Sequence, residues 1–182
     1  MNYWYLAASL PQLTLGAEPA SSFEAFRTLC GEHLTTSDLA ELDAVLAGQG
    51  ESAFARALRE YTLRVLDECA VLRAAKLGID STPWRTDIGV PDASVTAQVR
   101  DAMGQADPRA RELQLDTLRW KKLEELAQPT PFGLPAVLSH GLRLQIALRW
   151  AARNEASGRQ RLATHLEAIL TAFDRLAQEK QK

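Results

Sequence analysis

Residues 131–153 read PFGLPAVLSHGLRLQIALRWAAR, the longest run of the chain with few polar breaks. Pro131 and Pro135 flank a Phe-Gly pair at its start, and proline is tolerated in the first turn of a helix but not in its interior. A helix therefore begins close to these prolines. At 100° per residue it carries an apolar stripe that we expect to face the core. The stripe consists of Val137, Gly141, Leu144, Leu148 and Ala151 to Ala152.

A second apolar surface lies on roughly the opposite side of this helix. It is made of Leu142, Arg143, Ile146, Arg149, Trp150 and Arg153, which we call the Trp150 face. Large apolar residues and arginine are enriched at the centres of protein interfaces, so these six residues are the candidate site for a protein partner. In the alternative interpretation, a neighbouring helix of the same chain covers the face. A helix with two apolar faces needs two neighbours in either case.

The composition favours an all-α protein, a multi-helix bundle of about six to eight helices. The chain has 182 residues with only 10 glycines and 8 prolines, and 46% of its residues are hydrophobic. A chain of this length buries roughly 70% of its unfolded surface and can hold a real core. We expect one compact domain, with an N-terminal hairpin, long helix and connector in residues 1–92 and a C-terminal helical group in residues 93–182.

Cap and stop residues predict the helix boundaries. Besides the helix after Pro131, the expected helices run from Ser22 to about Gly31, from the cap Thr36-Ser37-Asp38 to Gly48, over 51–77 up to Gly78, over 93–103 up to Gly104, from Asp107-Pro108 to Pro129, and over 159–178 after a turn at Ser157-Gly158.

Two aromatic segments lie outside these helices. Burying an apolar or aromatic side chain is worth roughly 1.5–3 kcal/mol, so we expect Tyr3, Trp4 and Tyr5 to pack into the core; the alternative is a partner-binding arm. Trp84 lies in the irregular connector 79–92. We predict that it plugs a groove between the two helical groups, with a surface anchor as the alternative.

The charge of the chain argues against nucleic acid as a partner. The formal net charge is −2, which gives no basic field to attract phosphates. Residues 1–99 hold 7 Lys/Arg and 13 Asp/Glu, and residues 100–182 hold 14 and 10. Such asymmetry can orient a molecule between unlike partners, or it reflects solvated faces with a chance bias.

No residue pattern indicates catalysis, so we expect a protein that is not an enzyme and has no cofactor or metal. His33, His140 and His165 stand singly, without the spacing of metal ligands. Cys30 and Cys69 have no close-spaced partner and are expected to be buried thiols in a reducing cytosol. No glycine-rich phosphate loop, signal segment or transmembrane run is expected.

The C-terminal half resembles the C-type subunits of bacterial and archaeal V-type ATPases, which are called d-type subunits in eukaryotes. The similarity rests on Asp107-Pro108, on Leu115-Asp116 within a helix, on Pro131-Phe132-Gly133, and on Arg149 near the end of the following helix. The opening YWYLAASLP also resembles an uncharacterised bacterial family whose members lie in V-type ATPase gene clusters. Together the resemblance covers about residues 105–165 and the N-terminus.

The resemblance implies a non-catalytic rotor part that sits on the membrane ring and holds the base of the central shaft. Its partners would be central-stalk and membrane-ring subunits, and its location the cytoplasm or the inner face of the plasma membrane. The C-type subunits are longer and have three similar helical lobes, whereas this chain has room for little more than one. An assembly factor or a generic helical adaptor therefore stays open, as does a helical domain that binds a small molecule near Trp84, Trp120 and His140.

Overall fold

The computed structural model describes residues 2–86, 92–153 and 155–179, apart from the side chains of 155–157 and 172–179. This part of the chain is all helical, which confirms the predicted fold class. Its eight α-helices are α1 (Trp4–Ser9), α2 (Phe23–His33), α3 (Thr36–Leu46), α4 (Ala53–Leu77), α5 (Ala93–Met103), α6 (Pro108–Ala127), α7 (Leu134–Ala151) and α8 (Glu155–Glu179), with one 3-10 turn over Thr82–Trp84.

Short polar side chains begin most of these helices, as the sequence predicts. The hydroxyls of Ser22, Thr35 and Ser52 each accept a hydrogen bond from the backbone three residues on. The carboxylates of Asp92 and Asp107 cap α5 and α6 in the same way. These bonds satisfy N–H groups that have no partner within the helix, which places the helix starts within a residue or two of prediction.

The helix α7 lies at the centre of the main core. It packs against α6 on one side and against α3, α2 and α1 on the other, so it has the two neighbours that its two apolar faces require. Val137, Gly141 and Leu144 of the predicted inner stripe are buried, and Leu148 is partly buried. Ala151 and Ala152 are exposed, contrary to expectation, because α7 ends there and the chain leaves the core.

A second, smaller core joins α4, α5 and α6. It contains Val65 and Cys69 from α4, Val99 and Met103 from α5, and Leu115 from α6. Because α4 also supplies Phe54 to the main core, packing crosses the expected division at residue 92. The connector is fastened near this core, where the backbone N–H of Thr86 donates to both carboxylate oxygens of Asp67 at 2.8 and 3.0 Å. Residues 87–91 of the connector lie outside the described part.

The aromatic segments differ from prediction. Tyr3 is buried and its hydroxyl donates to the carboxylate of Asp38, but Trp4 and Tyr5 are exposed. Successive residues of a helix point about 100° apart, so three adjacent aromatic residues cannot all face one core. Trp84 is also exposed, and the prediction that it plugs a groove is wrong. Its short 3-10 turn has no buried residue and lies at the surface.

Two helix boundaries that the sequence places at glycines differ from the structure, by two residues for α2 and by four for α8. Gly31 lies inside α2, which continues to His33, and Gly158 lies inside α8, which begins at Glu155. A glycine in a helix interior costs roughly 1 kcal/mol relative to alanine, which neighbouring residues can offset. Neither glycine has the positive φ that makes Gly78 the C-cap of α4. The predicted turn at Ser157-Gly158 is therefore absent.

Gly141 allows α7 to approach α2 closely. A Cβ placed on it would lie 2.9 Å from a ring carbon of Phe26, which is closer than real Cβ contacts. We expect Gly141→Ala to lower the free energy of unfolding by about 1–2 kcal/mol, because overpacking against the ring outweighs the gain in helix propensity. Urea unfolding followed by tryptophan fluorescence measures the change.

Gly158→Ala is the matched control, since a Cβ there meets open space. It should raise the helical content measured by circular dichroism and leave the unfolding midpoint of the core unchanged. A Gly141→Ala protein as stable as the wild type would contradict the close packing of α7 on α2.

Candidate protein-interaction surface

The Trp150 face divides into a buried part and an exposed part. Ile146 and Trp150 are buried in the main core, and Leu142 is partly buried against it. Neighbouring helices of the same chain cover this part of the face, as the alternative interpretation expects, with α6 against Trp150 and α3 and α4 beside Leu142. Arg149 and Arg153 are exposed, so they are the residues of the face that a partner can reach directly. The role of the six residues in binding a partner stays a prediction.

A buried carboxylate organises the end of this face. Asp116 of α6 is 0% exposed and accepts hydrogen bonds from Arg149 Nη2 at 2.5 Å, Trp150 Nε1 at 2.8 Å and Arg119 Nη1 at 2.8 Å. We call these four residues the Asp116 cluster. Each oxygen of the carboxylate has at least one charged donor, which is the condition under which a buried charge is tolerated.

The environment of Asp116 keeps it ionised. Burial by itself would raise the pKa of the carboxyl, but the hydrogen bonds from Arg149, Trp150 and Arg119 and the charge of Arg149 outweigh it, so the pKa lies below the ordinary value of 3.8. The carboxylate is therefore charged at every physiological pH. Its contribution to stability is present above pH 3.8 and is lost as the pH falls through the lowered pKa.

A second polar cluster lies further along the same pair of helices. Glu124 Oε1 accepts from Trp120 Nε1 at 3.0 Å and from Arg143 Nη1 at 2.8 Å. The Arg143 guanidinium also lies 5.4 Å from the centre of the Trp120 ring, within cation–π range. Nearer the start of α7, Ser139 Oγ donates to the carbonyl of Leu123 at 2.8 Å. Three polar contacts therefore fix α6 and α7 in antiparallel register.

Arg153 is the outermost member of the face. Its guanidinium lies 5.1 Å from the centre of the Trp150 ring. The ring is thus enclosed between Arg153 at the surface and Asp116 in the interior. Arg149, whose side chain is 44% exposed, lies beside it. Two cations with access to solvent at one end of α7 favour an acidic or polar partner surface.

Glu124 is the member of this site that no sequence motif singles out, whereas Asp116 belongs to the resemblance and Trp120 to the residues considered for a small-molecule site. Asp116, Trp120 and Leu123 are spaced four and three residues apart, which places them on one face of α6. A carboxylate within an otherwise core-facing stripe is the available signal. Glu124 is adjacent to Glu125 and looks like one of a solvated pair, but it is the shared acceptor of Trp120 and Arg143.

The residues considered for a small-molecule site do not share one set of contacts in the described structure. Trp84 is exposed, Trp120 contacts Arg143, and the His140 ring lies 5.3 Å from the Phe26 ring. A shallow apolar groove of about 270 Å³ lies between α3, α4 and α7, lined in part by Leu46, Leu58, Leu63 and Leu142. Among the described residues, no group of three or more His, Cys, Asp and Glu side chains is placed to hold a metal ion.

The described helices also include none that is both long enough and apolar enough to cross a membrane. The fold and this site define an all-helical protein in which polar contacts hold α6 against α7, and in which the end of α7 carries the exposed residues Arg149 and Arg153. Residues 87–172 match the model of a family described only as a protein of unknown function, DUF2764. The match is just under half of the chain and includes α5, α6, α7, and with them the Asp116 cluster. No curated protein and no solved structure matches the chain.

Replacing Asp116 with Asn tests the Asp116 cluster. The change keeps the shape of the side chain but removes the negative charge to which three donors are bound, so we expect the free energy of unfolding to fall by about 2 kcal/mol, as for the loss of hydrogen bonds to a charged group. Urea denaturation at neutral pH measures the loss.

The exposed pair Arg27–Asp43 provides the control. Both side chains are partly solvated, so Asp43→Asn should cost less than about 1 kcal/mol. Equal losses in the two variants would contradict a special role for the buried carboxylate.

His140 makes the free energy of unfolding depend on pH at values above those at which the carboxylates titrate. Burial and then the charge of Arg143 lower the pKa of His140 from 6.5 to about 4, so the folded protein excludes a proton that the unfolded chain binds. Stability is fully present above pH 6.5 and falls as the pH drops towards 4. We expect a loss of about 2 kcal/mol between about pH 7.5 and pH 5, measured from urea midpoints.

In His140→Leu this fall should shrink by about the same amount, whatever the absolute stability of the variant, because leucine does not titrate. An unchanged pH dependence in the variant would exclude His140 as its source.

Proposed function

We propose that the chain is a non-catalytic coupling component of a bacterial V-type ATPase or ATP synthase, similar in role to the C-type subunits. It acts in the cytoplasm at the membrane surface, between the central stalk and the membrane ring. The observation that carries the proposal is the convergence of the residues on which the resemblance rests. Asp116 and Arg149 form one ion pair at 2.5 Å, although 33 positions separate them in the sequence.

The other features of the resemblance support the same helix pair. Asp107 caps α6 with Pro108 in its first turn, and Gly133 is the N-cap of α7. The N-terminal segment is joined to this turn, because the N–H of Tyr3 donates to the carbonyl of Phe132 at 2.5 Å. The quoted motifs are therefore parts of one packing unit formed by α1, α6 and α7.

A coupling component has to transmit force between two partners without deforming. The antiparallel pair α6–α7 suits this requirement, because the Asp116 cluster, the Ser139 contact and the Arg143–Glu124 ion pair each oppose sliding of one helix along the other. Closely packed protein interiors transmit strain. The exposed cations Arg149 and Arg153 provide one end for an acidic or polar partner surface.

An assembly factor is the second candidate, and the exposed apolar surface of α8 favours it. Leu162, Leu166, Ile169 and Leu170 are exposed in the isolated chain. Contiguous exposed apolar surface marks an interaction site, and a factor that binds only incomplete complexes has to keep such a surface uncovered between encounters.

Purification of the ATPase from native membranes through a tagged catalytic subunit tests the proposal. We expect the chain to co-purify in fixed proportion to the central stalk, as quantified by mass spectrometry, and its deletion to uncouple ATP hydrolysis from ion transport. Presence only on incomplete complexes would favour the assembly factor. Absence from both would refute a role in the ATPase.

Reversal of one surface charge tests the exposed end of the Trp150 face. Arg153→Glu should reduce the amount of co-purified chain at least about 10-fold, because the new carboxylate repels an acidic partner. Lys76→Glu, an exposed charge reversal near the end of α4, should have no such effect. Equal co-purification of the two variants, with unchanged urea midpoints, would remove Arg153 from the interface.

A further inference from the structure

The N-terminal segment and the turn between α6 and α7 expose three large aromatic rings on neighbouring backbone. The backbone N–H of Tyr3 donates to the carbonyl of Phe132, and Asn2 pairs with Gly133 in an antiparallel bridge. Apolar side chains that are exposed singly need no explanation, but a group of neighbouring ones marks an interaction site. The exposed rings are those of Trp4 (65% exposed), Tyr5 (64%) and Phe132 (51%), which we call the aromatic surface.

The two segments that carry the aromatic surface contain no Asp, Glu, Lys or Arg. They are residues 2–17 and 126–142, in a chain of which 24% is charged. Their one titratable residue besides tyrosine is His140, which is buried. The segments therefore bring no charge that would have to be removed from water when the rings are covered.

Charged side chains lie at the edge of the aromatic surface, on α2 and α3. The Tyr5 ring packs on His33 with 5.3 Å between the ring centres, and Glu32 beside it is exposed. The carboxylate of Asp38 accepts a hydrogen bond from the Tyr3 hydroxyl. An occupant of the aromatic surface thus meets neutral groups first and charges only at this edge.

The area and the composition of the aromatic surface do not fit a stable protein interface. A fully buried aromatic residue covers 150–250 Å², so three rings with these exposed fractions offer roughly 300–400 Å². A stable interface buries about 800 Å² on each partner, and this holds for a second copy of the chain as well. Arginine, which accompanies Trp and Tyr at the energetic centres of protein interfaces, is absent from both segments.

The boundary between lipid headgroups and acyl chains fits the same properties. Trp and Tyr are enriched at this depth of a membrane, because the ring enters the apolar layer while the N–H or hydroxyl group stays hydrated. A bilayer is fluid and closes around a small group of rings, so it requires no complementary shape. Binding there scales with the apolar area that is inserted.

We propose that the chain binds the lipid bilayer directly, by inserting Trp4, Tyr5 and Phe132 among the lipid headgroups. The contact extends the proposed function, in which the chain acts at the membrane surface, but it needs no ATPase subunit. The turn lies at the start of α7, and Arg149 and Arg153 lie at its other end, about 25 Å away along the helix. The chain would thus hold its exposed arginines at a fixed height above the lipid.

Flotation of the full-length protein with neutral phosphatidylcholine vesicles tests the inference. The surface variant carries Trp4→Ala and Phe132→Ala, and we expect its partition coefficient to fall at least about 10-fold, because two of the three inserted rings are lost. Both residues are exposed, so the urea midpoint should stay that of the wild type. Equal partitioning of the surface variant and the wild type would overturn the inference.

Trp84→Ala is the matched control, since Trp84 is a 59% exposed ring on a different part of the chain. Its partition coefficient should stay within about twofold of the wild type. A loss as large as that of the surface variant would overturn the inference, because binding would then follow any exposed ring.

Quenching of tryptophan fluorescence by brominated acyl chains measures insertion at one position. Trp4→Phe keeps an apolar ring, so it should still bind the vesicles but lose most of the quenching. Trp84→Phe should keep the quenching of the wild type, and Trp120 and Trp150 are buried. Quenching that persists in Trp4→Phe would contradict insertion of this surface.

The lipid composition separates insertion from attraction by charge. Addition of phosphatidylglycerol or of 0.5 M salt should change the partition coefficient less than about threefold, because the aromatic surface carries no cation to be screened. Binding only to anionic vesicles at low salt, or no binding of the wild type to any vesicle, would overturn the inference. Either result leaves the proposed function standing, since the vesicles contain no ATPase, whereas absence from the purified ATPase would refute the proposed function alone.

Discussion

The carboxylate of Asp116 is the constraint on which the arrangement of the helices depends. It is removed from solvent at the point where α6, α7 and both cores meet, and its three donors come from both helices. A buried charge is tolerated only when its donors are held in place, so the register of α6 against α7 is fixed to within a hydrogen-bond length. The same contact orients Trp150 and so sets the position of Arg153 above its ring.

Residues of α6 near Asp116 belong to both cores. Leu115, next to Asp116 in the sequence, points into the smaller core with α4 and α5, while Trp120 and Leu123 point into the main core with α7. The helix α6 therefore divides its surface between two clusters, and α4 does the same through Phe54 and Val65. In the described part of the chain, the two apolar clusters therefore share the helices α4 and α6.

Features that depend on neighbouring residues can be predicted from the sequence. The start of α6 at Asp107-Pro108, the end of α4 at Gly78 and the span of α5 all follow from local cap chemistry. The pattern also predicts two apolar faces on α7, but not which element covers each. That assignment depends on contacts such as Asp116 to Arg149, which bring together residues far apart in the chain, and periodicity within one helix contains no information about its neighbours.

The errors have equally local causes. A turn is predicted at Gly158 because glycine often ends helices, yet its φ stays in the helical range and α8 continues through it. The size of Trp84 and Trp4 predicts that their rings are buried. Both rings are exposed, because the short elements that carry them direct these side chains away from the cores. For the Trp150 face, the pattern identifies the residues but not the division between Trp150 inside and Arg153 outside.

The two cysteines lie one in each core, and their burial has a chemical consequence. Burial raises the pKa of the Cys30 thiol to about 11 and also raises the pKa of Cys69, so at neutral pH almost none of either sulfur is the reactive thiolate. Oxidants and maleimides that act on thiolates meet no accessible target on the folded chain. Any cysteine introduced at the surface would consequently be the single reactive sulfur of the native molecule, and labelling of Cys30 or Cys69 would report the opening of its own core.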